Sequence, residues 1–200
     1  DQTNTVSGDY TYTRYVGFGA PTTQNISVYR PTPAGMVKNV NWFDGFGRVW
    51  HAESPGAILN DVAGVAHVLT SYDARGNVAA STLPHLASDA APKFVTTSYD
   101  WNNRPLAVTQ PDNTTRSLSY VMYPELSAPE ITNVPLSYVK ETDELGRVKY
   151  VYSSTRGNVI RIARQLGAGF QVEYRRYDAL GRRVGVTDES GAVGSNVYDM

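Results

Sequence analysis

The chain is 200 residues long, and its 18 Lys and Arg against 19 Asp and Glu leave a formal charge of −1, so no global field draws in nucleic acid or an anionic membrane. Charged residues make up 18% and hydrophobic residues 41%, while Thr, Ser, Asn, Gly and 14 Tyr fill the rest, a mixture that suits β-structure with many turns and does not suit long disorder. The lack of Cys excludes a disulfide scaffold, a thiol nucleophile and a thiolate metal site.

From the start of the chain, Asp1-Gln2-Thr3-Asn4 is not followed by a basic and then apolar segment, and no run of roughly 18 apolar residues occurs. The expectation is of neither a signal peptide nor a membrane span within these residues. The first recurring element is a degenerate turn, Tyr15-Val16-Gly17-Phe18-Gly19-Ala20-Pro21. Its fuller form is an aromatic residue, Asp, two variable residues, then Gly and Arg or Asn. It appears as Phe43-Asp44-Gly45-Phe46-Gly47-Arg48, Tyr72-Asp73-Ala74-Arg75-Gly76-Asn77 and Tyr177-Asp178-Ala179-Leu180-Gly181-Arg182. Two variants are Tyr99-Asp100-Trp101-Asn102-Asn103-Arg104, with Asn for Gly, and Thr142-Asp143-Glu144-Leu145-Gly146-Arg147, with Thr for the aromatic.

Each position of this motif has a physical reason. Asp is favoured at the first place of a type I turn and Gly at the fourth, where the chain takes positive φ before re-entering a strand. Asn103 fits the same place, because Asn tolerates the left-handed region best after Gly. In the last copy a second turn, Asp188-Glu189-Ser190-Gly191, follows Asp178 at a distance of ten residues, so one full repeat is two strands and two turns. The flanking segments alternate as half-buried strands do: Val148, Tyr150 and Tyr152 oppose Arg147, Lys149 and Val151, and Phe170, Val172 and Tyr174 oppose Gln171, Glu173 and Arg175.

Three stretches depart from the pattern. Ile58, Leu59, Val62, Val65, Ala66 and Leu69 sit at helical spacing but Gly56 and Gly64 weaken a helix, so residues 56–69 stay open between helix and strand. Residues 83–92 and 124–135 read as Pro-bearing loops. No linker of low complexity divides the chain, so residues 1–200 read as one region, with repeats from about 15 to 200. The chain closes on Val197-Tyr198-Asp199-Met200, the first half of another turn, and is expected to be an excerpt of a longer polypeptide.

Candidate chemistry is sparse. His51, His67 and His85 lie 16 and 18 residues apart, without the spacing of a metal motif, and are expected to face solvent or sit in loops. No Gly-x-Ser-x-Gly elbow occurs, and Gly17-Phe18-Gly19 and Gly45-Phe46-Gly47 read as turns because the Lys and helix of a phosphate loop are missing. The repeated Asp residues supply one carboxylate per copy where Ca²⁺ takes six to eight oxygens, which favours turn capping. Trp42, Trp50 and Trp101 read as packing between neighbouring rungs in preference to a sugar platform. Arg175-Arg176 and Arg182-Arg183 are interspersed with Glu173, Asp178 and Asp188 and read as a solvated rim. The turn positions are therefore the site residues nominated here, as structural ones, and no catalytic residue, cofactor or metal is expected.

The recurring Tyr-Asp-x-x-Gly-Arg among Tyr- and Thr-rich strands resembles the YD-repeat, or Rhs-repeat, family of large bacterial polymorphic toxins and animal teneurins. The order of the copies at Phe43, Tyr72 and Thr142 looks most like the repeat region of Tc-toxin B-component and SpvB-like proteins. The resemblance implies an all-β fold of antiparallel hairpins joined into a sheet that spirals into a shell around a toxic C-terminal segment. The chain has about six to eight repeats, too few to close a large cavity. Neither the family's C-terminal plug with its self-cleaving aspartate chemistry nor a toxin domain is expected within these residues. The implied role is a non-catalytic wall segment of a secreted or cell-surface bacterial protein. Its implied partners are the rest of its own polypeptide, the enclosed cargo and other toxin-complex subunits. An adhesion or carbohydrate-binding module is the alternative, and a hydrolase with a site in residues 50–70 or 124–135 is a third reading.

Overall fold

The computed structural model describes residues 10–33, 35–59, 62–89, 91–122, 137–154 and 156–197. Among them the chain is all-β, with antiparallel strands and no helix. It forms two compact units, Asp1–Thr97 and Ser98–Met200.

The first unit holds β1 (Tyr12–Val16), β2 (Asn25–Thr32), β3 (Gly35–Phe43), β4 (Val49–Leu59), β5 (Val62–Tyr72), β6 (Val78–Thr82), β7 (His85–Leu86) and most of β8 (Phe94–Tyr99). From β1 to β6 each strand pairs with the next, and β6 then pairs with β8. β6 and β7 both lie along β5, the first opposite Thr70–Tyr72 and the second opposite Ala66 and His67. Between them Pro84 has no N–H to give a ladder. The buried Thr82 bridges the gap, its hydroxyl accepting from the Leu69 N–H at 2.9 Å.

The second unit begins within β8 and continues through β9 (Pro105–Thr109), β10 (Thr115–Val121), β11 (Ser137–Thr142), β12 (Val148–Ser153), β13 (Val159–Leu166), β14 (Gly169–Tyr177), β15 (Arg183–Asp188) and β16 (Val193–Ser195). From β9 onward each strand pairs with its successor. Among the described residues buried apolar side chains are few: Val40 in the first unit, and Ile162, Ala163 and Val172 in the second.

Residues 56–59 and 62–69 are strand, on β4 and β5, which pair antiparallel, against the helical spacing of their apolar residues. Two glycines cost a helix about 1 kcal/mol each relative to Ala, whereas the hairpin uses Gly56. A Cβ there would lie 3.1 Å from the Ala66 nitrogen, and the register shifts by a bulge between Pro55 and Ile58. The 83–92 loop contains the short strand β7, while 124–135 and Tyr198–Met200 lie outside the described residues. The alternation expected of Phe170, Val172 and Tyr174 gives real burial only at Val172, which is 7% exposed against 43% and 41% for its neighbours.

Candidate functional site

The nominated turn residues form one repeated geometry. At Phe43-Asp44, the Gly47 N–H donates to the Asp44 carbonyl at 3.0 Å and the Asp44 N–H to the Arg48 carbonyl at 2.9 Å. Gly47 takes φ 77° and Asn103, at the same place in its copy, φ 61°. The ladder shifts register one step before the Asp44, Asp73 and Asp178 turns, the mark of a type I turn closed by a bulge. The Asp side chain ties this loop together. Asp44 Oδ1 accepts from the Phe46 and Arg48 N–H groups, both at 2.9 Å, and Oδ2 accepts from Arg48 Nε at 2.7 Å.

Asp100, Asp143 and Asp178 repeat the arrangement with Arg104, Arg147 and Arg182, and Asp73 does so with the Asn77 amide. The side-chain bond from Asn77 holds the Asp73 carboxyl below the usual carboxylate range, and the Arg182 N–H does the same for Asp178. At Asp44, Asp100 and Asp143 lost hydration pushes the pKa up, but the hydrogen bonds from backbone and guanidinium together pull it below the ordinary value. The carboxylates are thus engaged as caps. Two further turns of the same shape escape the sequence motif: Asn113 donates to the Gln110 carbonyl, and Gly157 to that of Ser154.

Successive turns are stitched to one another. In the first unit the Tyr72 hydroxyl donates to the Val49 carbonyl at 2.7 Å, and the Arg48 guanidinium lies 4.3 Å from the centre of the Tyr72 ring. Gln24 Nε2 donates to the Asp44 carbonyl at 2.7 Å, tying the degenerate first turn to the second. In the second unit Tyr120 donates to the Pro105 carbonyl at 3.0 Å beneath Arg104, whose guanidinium is 4.2 Å from its ring. Tyr177 donates to the Val159 carbonyl at 2.9 Å, and Arg156 reaches the Ala179 carbonyl at 3.0 Å. Tyr72 and Tyr177, each placed just before an Asp turn, therefore cap a strand that leaves an earlier turn. Tyr99 ends β8 ahead of the Asp100 turn, and Gly76, Gly146 and Gly181 all take the expected positive φ.

The histidines depart from expectation. His51 on β4 and His67 on β5 are not loop or solvent-facing residues: their side chains are 17% and 20% exposed. His51 Nε2 lies 3.1 Å from His67 Nδ1, and Glu53 Oε1 lies 3.8 and 3.5 Å from those two nitrogens. The backbone explains the meeting. His51 and Glu53 are two apart on a strand and share a face, and Glu53 stands opposite His67, which stands opposite His85 on β7. Trp42, opposite His51 on β3, stacks on it with ring centres 4.3 Å apart. Burial lowers the His51 pKa, with Glu53 opposing and the other two histidines adding to the fall. Glu53 and His67 line a cleft of about 520 Å³ with Gly64, Val65, Leu86, Ala87 and Ser88. The signal was present in the sequence as His51-x-Glu53 alternation, but its meaning depends on the β4–β5 register.

Among the described residues the tryptophans and the paired arginines do not gather into a site, and Trp101 departs from the packing expected of it. Trp101 is 82% exposed at a turn, whereas Trp42 is covered by His51. In the Arg pairs, Arg175 binds Glu173 at 2.6 Å and Arg182 binds Asp178 at 2.7 Å, as expected of a charge-paired rim.

No family model matches the chain, and no curated protein matches its sequence. Solved structures are similar to it in fold. The crystal structure of TcdB2-TccC3 matches with a TM-score of 0.63 and 15% identity, over 89% of this chain and 11% of that one. A structure of the Photorhabdus luminescens Tc holotoxin pore matches with a TM-score of 0.61 and 15% identity, over 82% of this chain and 10% of that one. The TcdB2-TccC3-Cdc42 crystal structure gives 0.59 and 15%, over 86% and 10%. The chain spans about a tenth of the length of the structures it matches. At these identities the likeness is one of fold, and that fold is found in Tc toxin chains.

Proposed function

We propose that this chain is a non-catalytic wall segment of a bacterial Rhs- or Tc-type toxin protein, contributing strands to a β-shell around a C-terminal toxic cargo. The observation that carries the reading is the fold likeness to TcdB2-TccC3 over 89% of the chain. The way the strands are joined supports it. Each pairs mainly with its sequence neighbours and the turns are stitched edge to edge, so a segment lengthens a wall without needing a large core of its own. The turn carboxylates, committed to capping, favour a structural role over a catalytic one. The partners in this reading are the remainder of the polypeptide, its cargo and other toxin-complex subunits, and the protein acts outside the producing cell or at its surface.

The test is limited proteolysis of the native polypeptide that carries this segment, with intact mass measured first. The expected result is a mass several times 21.9 kDa and a C-terminal fragment that survives protease until the shell is opened by denaturant. A native mass near 21.9 kDa, or a C-terminal fragment digested at the rate of an unfolded chain, rules the reading out.

A further inference from the structure

We infer that His51, Glu53 and His67 form a binding site for a divalent transition-metal ion of the Zn²⁺ class. The site goes beyond the wall reading and does not depend on it. Its basis is geometric. The three ligand atoms, His51 Nε2, Glu53 Oε1 and His67 Nδ1, form a triangle with sides of 3.1, 3.5 and 3.8 Å. The nearest point equidistant from them lies in their plane at about 2.0 Å, and an ion raised out of that plane toward a fourth ligand sits about 2.1 Å from each, the length of a Zn–N or Zn–O bond. Ligands of a tetrahedral zinc stand roughly 3.3 Å apart, so the triangle approximates one face of that tetrahedron before any ion binds.

The donor set selects the metal class. Two imidazoles and one carboxylate suit zinc and its neighbours, whereas Ca²⁺ and Mg²⁺ prefer all-oxygen shells. The scaffold is held on paired strands: Glu53 and His67 face each other across the β4–β5 ladder, and His51 is pinned by Trp42. His85 is the next residue in the row, but its nitrogens lie outside the triad, and its Nδ1 sits 3.2 Å from the Leu83 carbonyl. Three protein ligands leave a fourth position for water or a small ligand, and the cleft beside Glu53 and His67 gives access. An ion here ties β4 to β5 next to the Gly56 bulge.

The test is Zn²⁺ binding to the untagged chain, measured by competition with a chromophoric chelator, with Co²⁺ absorption and Trp fluorescence as second readouts. The expected result is 1:1 binding, weakened at least about tenfold in His51→Ala, Glu53→Gln and His67→Ala. His85→Ala is expected to bind within about threefold of the parent chain, as a residue outside the triad. Co²⁺ is expected to give the intense visible bands of a four-coordinate site and to quench Trp42, which stacks on a ligand. Far-UV circular dichroism of each variant without metal separates lost ligation from lost folding. His51→Ala and His67→Ala binding Zn²⁺ as tightly as the parent chain overturns the assignment, as does His85→Ala losing as much as they do.

Discussion

The Tyr72 hydroxyl donates to the Val49 carbonyl at 2.7 Å while its ring carries the Arg48 guanidinium, so one side chain closes the turn built 28 residues earlier. Tyr72→Phe keeps the ring and removes only the donor. It is expected to lower stability by about 0.5–1.5 kcal/mol, the net worth of a part-buried hydrogen bond. Tyr72→Ala is expected to cost more, since the platform for Arg48 goes as well. Urea unfolding of both variants checks this, and a Phe variant as stable as the parent chain would show that the hydroxyl contributes nothing.

Positive φ at the fourth turn position gives a second expectation. Gly76 sits at φ 90° and Gly181 at φ 80°. Gly76→Val or Gly181→Val should destabilise by about 1–3 kcal/mol through backbone strain. Space is not the cause at Gly76, because a Cβ there meets Arg48 Nη1 at an ordinary 3.5 Å. Asn103→Gly should be neutral or slightly stabilising, and Ala74→Ser, which touches no strained position, nearly silent. Chemical denaturation of the four variants side by side decides; equal midpoints for the Val and Ser variants contradict the turn assignment.

The capping carboxylates set the acid limb of stability. Their folded pKa values lie below the ordinary carboxylate value of 3.8. The unfolded chain therefore takes up protons first as pH falls, so the stability these groups supply is fully present above about pH 5 and is lost progressively as pH falls through the folded pKa values. The midpoint of urea unfolding should fall between pH 5 and pH 3, and less steeply in Asp178→Asn, which titrates one group fewer. A flat profile across that window would mean that the caps do not favour the charged form.

Thr82 supports a third kind of contact. Its hydroxyl is the partner of the Leu69 N–H at the break between β6 and β7, and the residue is 4% exposed. Thr82→Val conserves shape but leaves that N–H without its partner, at a cost of about 1–3 kcal/mol. Native-state hydrogen exchange at Leu69 gives the direct readout. Unchanged protection there would assign the ladder's continuity to something else.

The turns were legible in the sequence because their chemistry is local: Asp44 and Arg48 are four residues apart and carry their own bonding partners. The all-β class followed from the same signal. Tyr72 and Val49 are 23 residues apart, and their contact depends on the order in which strands pair, which no local motif states. The β4–β5 hairpin was hidden by apolar residues that fit a helical period as well as a strand. With that hairpin unread, His51, Glu53 and His67 had no reason to be placed together. The Gln110 and Ser154 turns carry no such local signal because Gln and Ser stand in place of Asp at the first position, although the backbone closes the same way.

The most direct test of the wall reading is an electron-cryomicroscopy map of the native polypeptide that carries these residues. The account predicts a hollow shell in which β1–β16 follow one another along the wall and density for a separate C-terminal segment lies inside. A solid particle, or these strands folded as an isolated module with both sheet faces in solvent, would contradict it.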